Sequence, residues 1–199
     1  GALTRNVQDA ALLLTVLNGP DPRDPLCLTE KLDFTDAPNR SIKGMRIAWS
    51  PDLDVYPVDP MVAEVVERAV KRFEEAGAIV EPVKLGIRHG HYELGELWCR
   101  MISSLNVAAV EMFKQFGIDF TGAQAEDLPK PLRDWIAKGY ELTGLDLARD
   151  QAIRTEIFDA IQGVMERYDF LVSPTLACTA VPNGTDGETL GPAEINGQK

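Results

Sequence analysis

The sequence is poor in the residues that build disulfide scaffolds and metal sites. Its 199 residues include three cysteines, Cys27, Cys99 and Cys178, and two histidines, His89 and His91. The cysteines are widely separated and show neither C-x-x-C nor zinc-type spacing, which argues against a disulfide framework or a zinc knuckle. Cys99 and Cys178 have no activating neighbour in sequence, so we expect unreactive buried thiols. A reducing cytoplasmic location fits this cysteine usage.

Long basic runs and long apolar runs are also missing. The formal net charge is −11, and no extended Lys/Arg run occurs, whereas a nonspecific nucleic-acid surface needs concentrated positive charge. No uninterrupted apolar run approaches the roughly 20 residues that span a bilayer. Gly1 begins no signal peptide, because a basic n-region is absent. Since the chain starts without methionine, we expect it to be a piece of a longer protein.

The sequence contains no serine flanked by glycines, the arrangement in which hydrolases often present a nucleophile. Ser103 and Ser104 lie in a predicted helix, where hydroxyl groups commonly bond back to the preceding turn. These 199 residues are therefore predicted to supply no nucleophilic serine.

A capped helix is predicted near the start of the chain. Asn6 can act as its N-cap, Asp9 lies in its first turn, and Gly19 and Pro20 end it. The apolar residues predicted to form its buried stripe are Leu12, Leu13, Val16 and Leu17.

Downstream of this helix, strand and helix patterns alternate, which is typical of an α/β fold. The predicted strands cover residues 45–49, 78–84 and 169–172, and the predicted helices cover residues 60–76, 92–116, 132–138 and 143–168. Asp59 caps the second helix, and Pro60 occupies its first position. We predict one α/β unit over residues 1–199, with helices packed on a mixed sheet, as part of a larger domain.

The predicted helix over residues 92–116 has an unusually wide apolar face, which extends from Leu94 to Phe116. We expect most of this face to be buried in the core. Alternatively, the chain is a non-catalytic interaction module whose partner binds this face.

Arg154 interrupts the apolar side of the longest predicted helix. At 100° per residue, the apolar residues within about 40° of Arg154 are Leu147, Phe158, Ile161, Met165 and Tyr168. A guanidinium stays charged, so a buried one needs an anionic or carbonyl partner. Either Arg154 pairs with Asp150 one turn earlier, or it extends to solvent, or it faces a pocket and binds a carboxylate or carbonyl group.

Thr175 follows the last predicted strand, after Pro174. Open α/β sheets bind ligands at the carboxyl ends of their strands, so the hydroxyl and backbone amide of Thr175 are candidates for a substrate pocket. The alternative is that Pro174 merely ends the strand.

Two histidines and two glutamates lie close together in sequence, at His89, His91, Glu93 and Glu96. Their spacing matches no established metal motif, which favours surface residues. A metal-dependent hydrolase built on these four side chains is the weaker alternative.

The run GALTRNVQDAALLLTVLNGPDPRDP, residues 1–25, resembles the amidase signature family. The family pattern is G-P-x-x-R-T-V-x-D-A-A-L-L-L-x-V-L-x-G-P-D-P-R-D-P. The chain departs from it at Ala2, where proline is usual, and at Asn6, where threonine is usual. Both departures leave the helix start intact.

A second stretch extends the resemblance toward the other end of the chain. In the family, a long helix carries A-x-x-x-R ahead of a Y-D-x-L-[LV]-x-P-T strand. Asp150 stands at the alanine position, and the matching residues are Arg154, Tyr168, Asp169, Leu171, Val172, Pro174 and Thr175.

The resemblance implies hydrolysis of an amide, or transfer of its nitrogen, through an acyl-enzyme. A serine nucleophile, a second serine in a cis peptide and a lysine base would lie on a segment before Gly1, so no catalytic residue is assigned here and the chain alone is expected to be inactive. In transfer-RNA amidotransferase A subunits, the arginine matching Arg154 is implicated in holding the substrate's α-carboxylate. The resemblance implies a small amide substrate, no metal or cofactor, and partner subunits in an amidotransferase. Exposed apolar edges predict self-association.

Overall fold

The computed structural model describes residues 3–184 and 189–198, so Gly1 and Ala2 of the family-like run lie outside the described residues. The chain divides into two compact units, Gly1–Lys43 and Gly44–Lys199. All described strands lie in the second unit. The single unit predicted over residues 1–199 stays a prediction.

The first unit contains helix α1, Val7–Leu17, followed by loops and a 3-10 turn at Ala37–Asn39. Asn6 caps α1 as predicted, because its side-chain oxygen accepts a hydrogen bond from the Asp9 amide at 2.7 Å. At the other end, Asn18 ties the returning chain to the helix. Its amide group donates to the Leu32 carbonyl at 2.9 Å, and its oxygen accepts from the Leu32 amide at 2.7 Å.

The predicted burial of the α1 stripe is wrong for the described residues. Ala11 is buried, but the four stripe residues are each at least 37% exposed: Leu12, Leu13, Val16 and Leu17. The reason is that the described part of the first unit contains no second α-helix or strand to cover them. An amphipathic pattern identifies the face that can be buried and does not supply its partner.

The second unit is built on a sheet of strands β1, Arg46–Trp49, β2, Ile79–Pro82, and β3, Phe170–Val172, in the order β2-β1-β3. Both pairings are parallel, with Ala48 opposite Glu81 on one side and Leu171 on the other. The predicted α/β class is confirmed, and the described strands form a parallel rather than a mixed sheet. Each strand connection contains a helix, as parallel neighbours require.

Four helices lie between the strands in the chain. Helix α2, Pro60–Glu75, connects β1 to β2, and three helices connect β2 to β3: α3, His91–Lys114, α4, Lys130–Glu141, and α5, Gly144–Met165. The side chain of Asp59 caps α2 by accepting from the Met61 amide at 2.8 Å. Thr143 and Asp146 form a reciprocal capping box at the start of α5. The predicted starts of α2 and α5 are therefore confirmed by the polar groups that cap them, whereas α3 and α4 begin without a side-chain cap.

The core centres on three residues: Ala48 of β1, Leu85 of the segment after β2, and Val164 of α5. The partly buried apolar side chains packed against it are Leu53, Val83, Ile87, Ile161, Tyr168 and Leu171. The end of α5 is thus fixed against the central strand and the segment after β2.

The wide face of α3 is only partly buried. Leu94, Leu97 and Val110 are buried. The larger side chains at Trp98, Leu105, Met112 and Phe116 are each at least 50% exposed. The expectation that this face is largely buried is wrong for the described residues, because α4 is the main helix packed on α3.

Candidate functional site

A cavity of about 200 Å³ opens where β1 and β3 end. The loop after β1 and the segment after β3 line it with Pro51, Asp52, Leu53, Tyr56, Val58, Pro174, Thr175, Leu176 and Ala177. This edge of a parallel sheet is the usual place for a ligand. Burial raises the pKa of the Tyr56 phenol, so its hydroxyl stays protonated and can donate a hydrogen bond. Most of the lining side chains are apolar.

The loop after β1 has an unusual backbone. Leu53 and Asp54 have φ angles of 53° and 65°, in the left-handed region that residues with a Cβ seldom adopt. The Asp54 carboxylate holds this shape by accepting from the Leu85 and Gly86 amides at 2.7 and 2.9 Å. Such strain persists where surrounding contacts enforce it, and it concentrates at functional sites.

Electrostatics around Asp54 favour its ionised form. Burial by itself would raise the pKa of this carboxyl group, but the Gly86 amide, the Lys84 ammonium at 3.0 Å and the Leu85 amide outweigh burial and lower the pKa. The anchor of the cavity loop is therefore a carboxylate at neutral pH.

Thr175 lies in the cavity lining, at the position that the sequence predicts. Arg154 lies elsewhere, on the exposed side of α5, and does not line this cavity. Its Nη1 donates to Gln151 Oε1 at 2.8 Å. The described residues therefore do not bring the two candidate substrate-binding residues into one cavity.

Asp150 is not the partner of Arg154. It is 2% exposed, and its carboxylate accepts a bidentate pair of hydrogen bonds from Arg100 of α3. Arg100 Nη2 lies 2.6 Å from Oδ1, and Nε lies 2.9 Å from Oδ2. The suggested Asp150–Arg154 ion pair is wrong because a fork-shaped guanidinium from another helix already occupies both oxygens.

Sequence reasoning missed the Arg100–Asp150 pair altogether. The two residues are 50 positions apart, and neither lies in a motif that points to the other. A correlated pattern of substitutions in an alignment is the signal that could have revealed the pair.

His89 joins two helices through two carboxylates. Its Nδ1 lies 3.0 Å from Glu93 Oε2 in α3, and its Nε2 lies 3.1 Å from Glu156 Oε2 in α5. Hydrogen bonds to Glu93 and then Glu156 raise the pKa of the His89 imidazole. A second cavity, of about 360 Å³, borders His89 and Glu156.

The described residues contain no group of three or more His, Cys, Asp or Glu side chains that could hold a metal ion. The candidate set at His89, His91, Glu93 and Glu96 is therefore not a metal site within residues 3–184 and 189–198. Both ring nitrogens of His89 are committed to carboxylates, and the His91 ring packs beside Tyr92 with centroids 4.9 Å apart.

We expect His89 to make stability depend on pH. Its folded-state pKa is raised, so its contribution is fully present below the unfolded pKa of about 6.5 and is lost as pH rises through the folded pKa. Urea unfolding of the unsubstituted protein and of His89→Gln, at pH values from below about 6.5 to above the folded pKa of His89, measures how the difference in their free energies of unfolding changes with pH. Glu93→Gln combined with Glu156→Gln should abolish the His89 contribution, so adding His89→Gln to that double variant should not change its pH dependence further. A change as large as in the unsubstituted protein would refute the assignment.

The two candidate serines lie within α3, as predicted. Ser104 Oγ donates to the Met101 carbonyl at 2.7 Å, which is the bond to the preceding turn expected of a helical hydroxyl. Ser103 is buried against α4. In the part of the chain that the structure describes, no helix is both long enough and apolar enough to cross a membrane.

Comparison with known proteins gives one consistent family. The Amidase family model matches residues 1–199. An acylamidase from Rhodococcus erythropolis is 32% identical over 184 residues, covering 92% of this chain and 36% of the relative. The A subunit of the glutamyl-tRNA(Gln) amidotransferase from Macrococcus caseolyticus is 31% identical over 202 residues, covering 92% of this chain and 41% of the relative.

Among solved structures, a bacterial aryl acylamidase of the amidase signature enzymes family superposes with a TM-score of 0.91 at 41% identity. The match covers 98% of this chain and 40% of that chain. The chain therefore spans roughly two fifths of the length of these relatives.

Proposed function

Because the chain belongs to the amidase family, we propose that it forms part of an enzyme that cleaves the C–N bond of a carboxamide by hydrolysis or by transfer of its nitrogen. The superposition at a TM-score of 0.91 on an amidase signature enzyme is the observation that carries this proposal. It supports membership of the same catalytic family, and the 41% identity of that aryl acylamidase favours hydrolysis of a small aryl or alkyl amide over nitrogen transfer.

The reaction that the family resemblance implies has two steps. A serine hydroxyl adds to the amide carbonyl carbon while a base takes its proton, and the tetrahedral intermediate then expels the amine, which gains a proton. Water next cleaves the acyl-serine ester, releasing the acid and restoring the serine. Under this proposal the chain supplies none of these reacting groups.

The cavity at the sheet edge would hold the group next to the scissile amide. Its apolar wall, formed in part by Leu53, Val58 and Leu176, suits an aryl or alkyl group. Thr175 adds a hydroxyl that can bond a substrate carbonyl. The protonated phenol of Tyr56 offers a second donor.

Arg154 does not line this cavity, so it would bind a carboxylate on a part of the substrate that extends beyond the cavity. Its guanidinium lies on the exposed side of α5 with a neutral amide, Gln151, as the partner that its hydrogen bond shows. Among residues 3–184 and 189–198, this neutral amide is the only hydrogen-bond partner of the guanidinium, which is therefore suited to a bidentate carboxylate.

We expect Arg154→Ala, made in the complete enzyme, to raise KM for a carboxylate-bearing amide by about tenfold or more, because a charge-assisted pair is lost. KM for the matched amide without the carboxylate should change little. Steady-state kinetics on the two substrates measures the contrast, and Gln151→Ala serves as the neighbouring control. Equal KM values for parent and Arg154→Ala on the carboxylate-bearing amide would remove Arg154 from the proposal.

The partner subunits depend on which reaction the parent performs. Glutamyl-tRNA(Gln) amidotransferase A subunits among the relatives would imply partner subunits. β2 and β3 are the edges of the described sheet, which supports self-association as a proposal. The cytoplasmic location stays a proposal that rests on three free cysteines.

A second candidate function is a non-catalytic interaction module. The observation that favours it is the exposed part of the α3 face, at Trp98, Leu105, Met112 and Phe116. The two candidates differ in one expectation. Amide turnover by the complete protein would support the amidase function. Binding of a partner through this α3 face, with no amide turnover, would support the interaction module.

A further inference from the structure

Arg154 has one carboxylate neighbour on its own helix. Three and four positions away along α5 stand Asp150, Gln151, Ile157 and Phe158. Residues at this spacing are neighbours on a helix surface, and an Asp four residues before an Arg commonly pairs with it. An Asp150 free to turn toward Arg154 would neutralise the guanidinium that the proposed function assigns to the substrate.

Arg100 prevents this pairing. Its Nε and Nη2 reach both oxygens of Asp150, at 2.9 Å to Oδ2 and 2.6 Å to Oδ1. The Asp150 side chain is 3% exposed, whereas the Arg100 side chain is 33% exposed, so the carboxylate is held inside between α3 and α5. Within the part of the chain that the structure describes, Arg154 keeps one hydrogen-bond partner, the neutral Gln151 amide at 2.8 Å.

We propose that Arg100 is a positioning residue for substrate binding: by occupying both oxygens of Asp150, it keeps the Arg154 guanidinium available to a substrate carboxylate. The inference rests on the proposed function of Arg154. It extends that function by assigning a role to Arg100 of α3. Under this proposal Arg100 acts through Asp150 and does not contact the substrate. The Arg100–Asp150 pair is neutral overall, so Asp150 does not offset the positive charge of Arg154.

The test uses the complete enzyme and a matched pair of amides, one with a carboxylate and one with a methyl group in its place. Arg100→Met releases Asp150, which can then bind Arg154. KM for the carboxylate-bearing amide should rise about three- to tenfold, while kcat, and KM for the neutral amide, stay near parent values. Arg100→Lys offers a single ammonium, so it should give a smaller rise in the same direction.

The rescue variant is Arg100→Met combined with Asp150→Ala. It contains no unpaired buried carboxylate, and it removes the competitor of Arg154, so KM for the carboxylate-bearing amide should return to the parent value. If Arg100→Met does not fold, the Arg100→Lys variant and this double variant carry the test. A KM that stays high in the double variant, or that rises equally for both amides, would show a structural role only and overturn the inference.

Failure of the inference and failure of the proposed function are distinguishable. If Arg154→Ala leaves both KM values unchanged, the carboxylate-binding function is wrong. If Arg154→Ala raises KM for the carboxylate-bearing amide and neither Arg100 single variant does, the function stands and the positioning role of Arg100 is wrong.

Discussion

Replacing Gly139 with alanine is expected to lower the free energy of unfolding by about 3 kcal/mol, at the upper end of the cost of overpacking. Gly139 lies in α4 where this helix crosses α3. A Cβ at this position would lie 2.6 Å from the Ser103 carbonyl oxygen and 2.7 Å from Val107 Cγ2. The valine methyl can rotate away, but the carbonyl belongs to the α3 backbone, so the two helices must separate.

Two other helical glycines provide matched controls. Among the described residues, nothing outside their own turn of helix lies within 4 Å of a Cβ added at Gly95 in α3 or Gly163 in α5. Alanine at either site should stabilise the protein by about 0.5–1 kcal/mol, because it restricts the unfolded chain and favours the helix. Urea unfolding followed by tryptophan fluorescence measures all three variants. A Gly139→Ala variant as stable as Gly95→Ala would contradict the close helix crossing.

Local features of the fold could be predicted from the sequence. The N-caps at Asn6, Asp59 and Thr143 were predictable because a cap involves atoms only two or three residues apart. The strands were predictable from apolar alternation and from the apolar run before Pro174, although Phe170 in that run is 53% exposed rather than buried. The sheet edge could be named as a candidate ligand site because β-strand polarity fixes which loops meet there.

Features that depend on distant parts of the chain could not be predicted. The burial of the α1 and α3 faces depends on what packs against them, and periodicity contains no information about the partner. Asp150 was one of the possible partners of Arg154 because they are one turn apart, while its actual partner, Arg100, is 50 positions away. The left-handed backbone at Leu53 and Asp54 depends on amides 31 and 32 residues downstream, and no glycine marks it.

The second large effect concerns turnover itself. Under the proposed function, the chain of 199 residues without the rest of its parent should hydrolyse no amide, because the reacting groups lie outside it. The complete parent should hydrolyse an aryl amide. The reason is chemical: an acyl-enzyme needs a serine next to a base, whereas Ser104 is bonded to the preceding helical turn and Ser103 is buried between α3 and α4.

Locating the nucleophile is the most direct test of this account. A fluorophosphonate, which forms a stable adduct with a nucleophilic serine, is added to the complete parent enzyme until amide hydrolysis stops, and the labelled peptide is identified by mass spectrometry. Heat-denatured enzyme is the control for nonspecific labelling. We predict an adduct on a serine outside these 199 residues and none within them. An adduct on a serine inside this chain, formed in step with the loss of activity, would contradict the assignment of the chain as the substrate-binding part of an amidase.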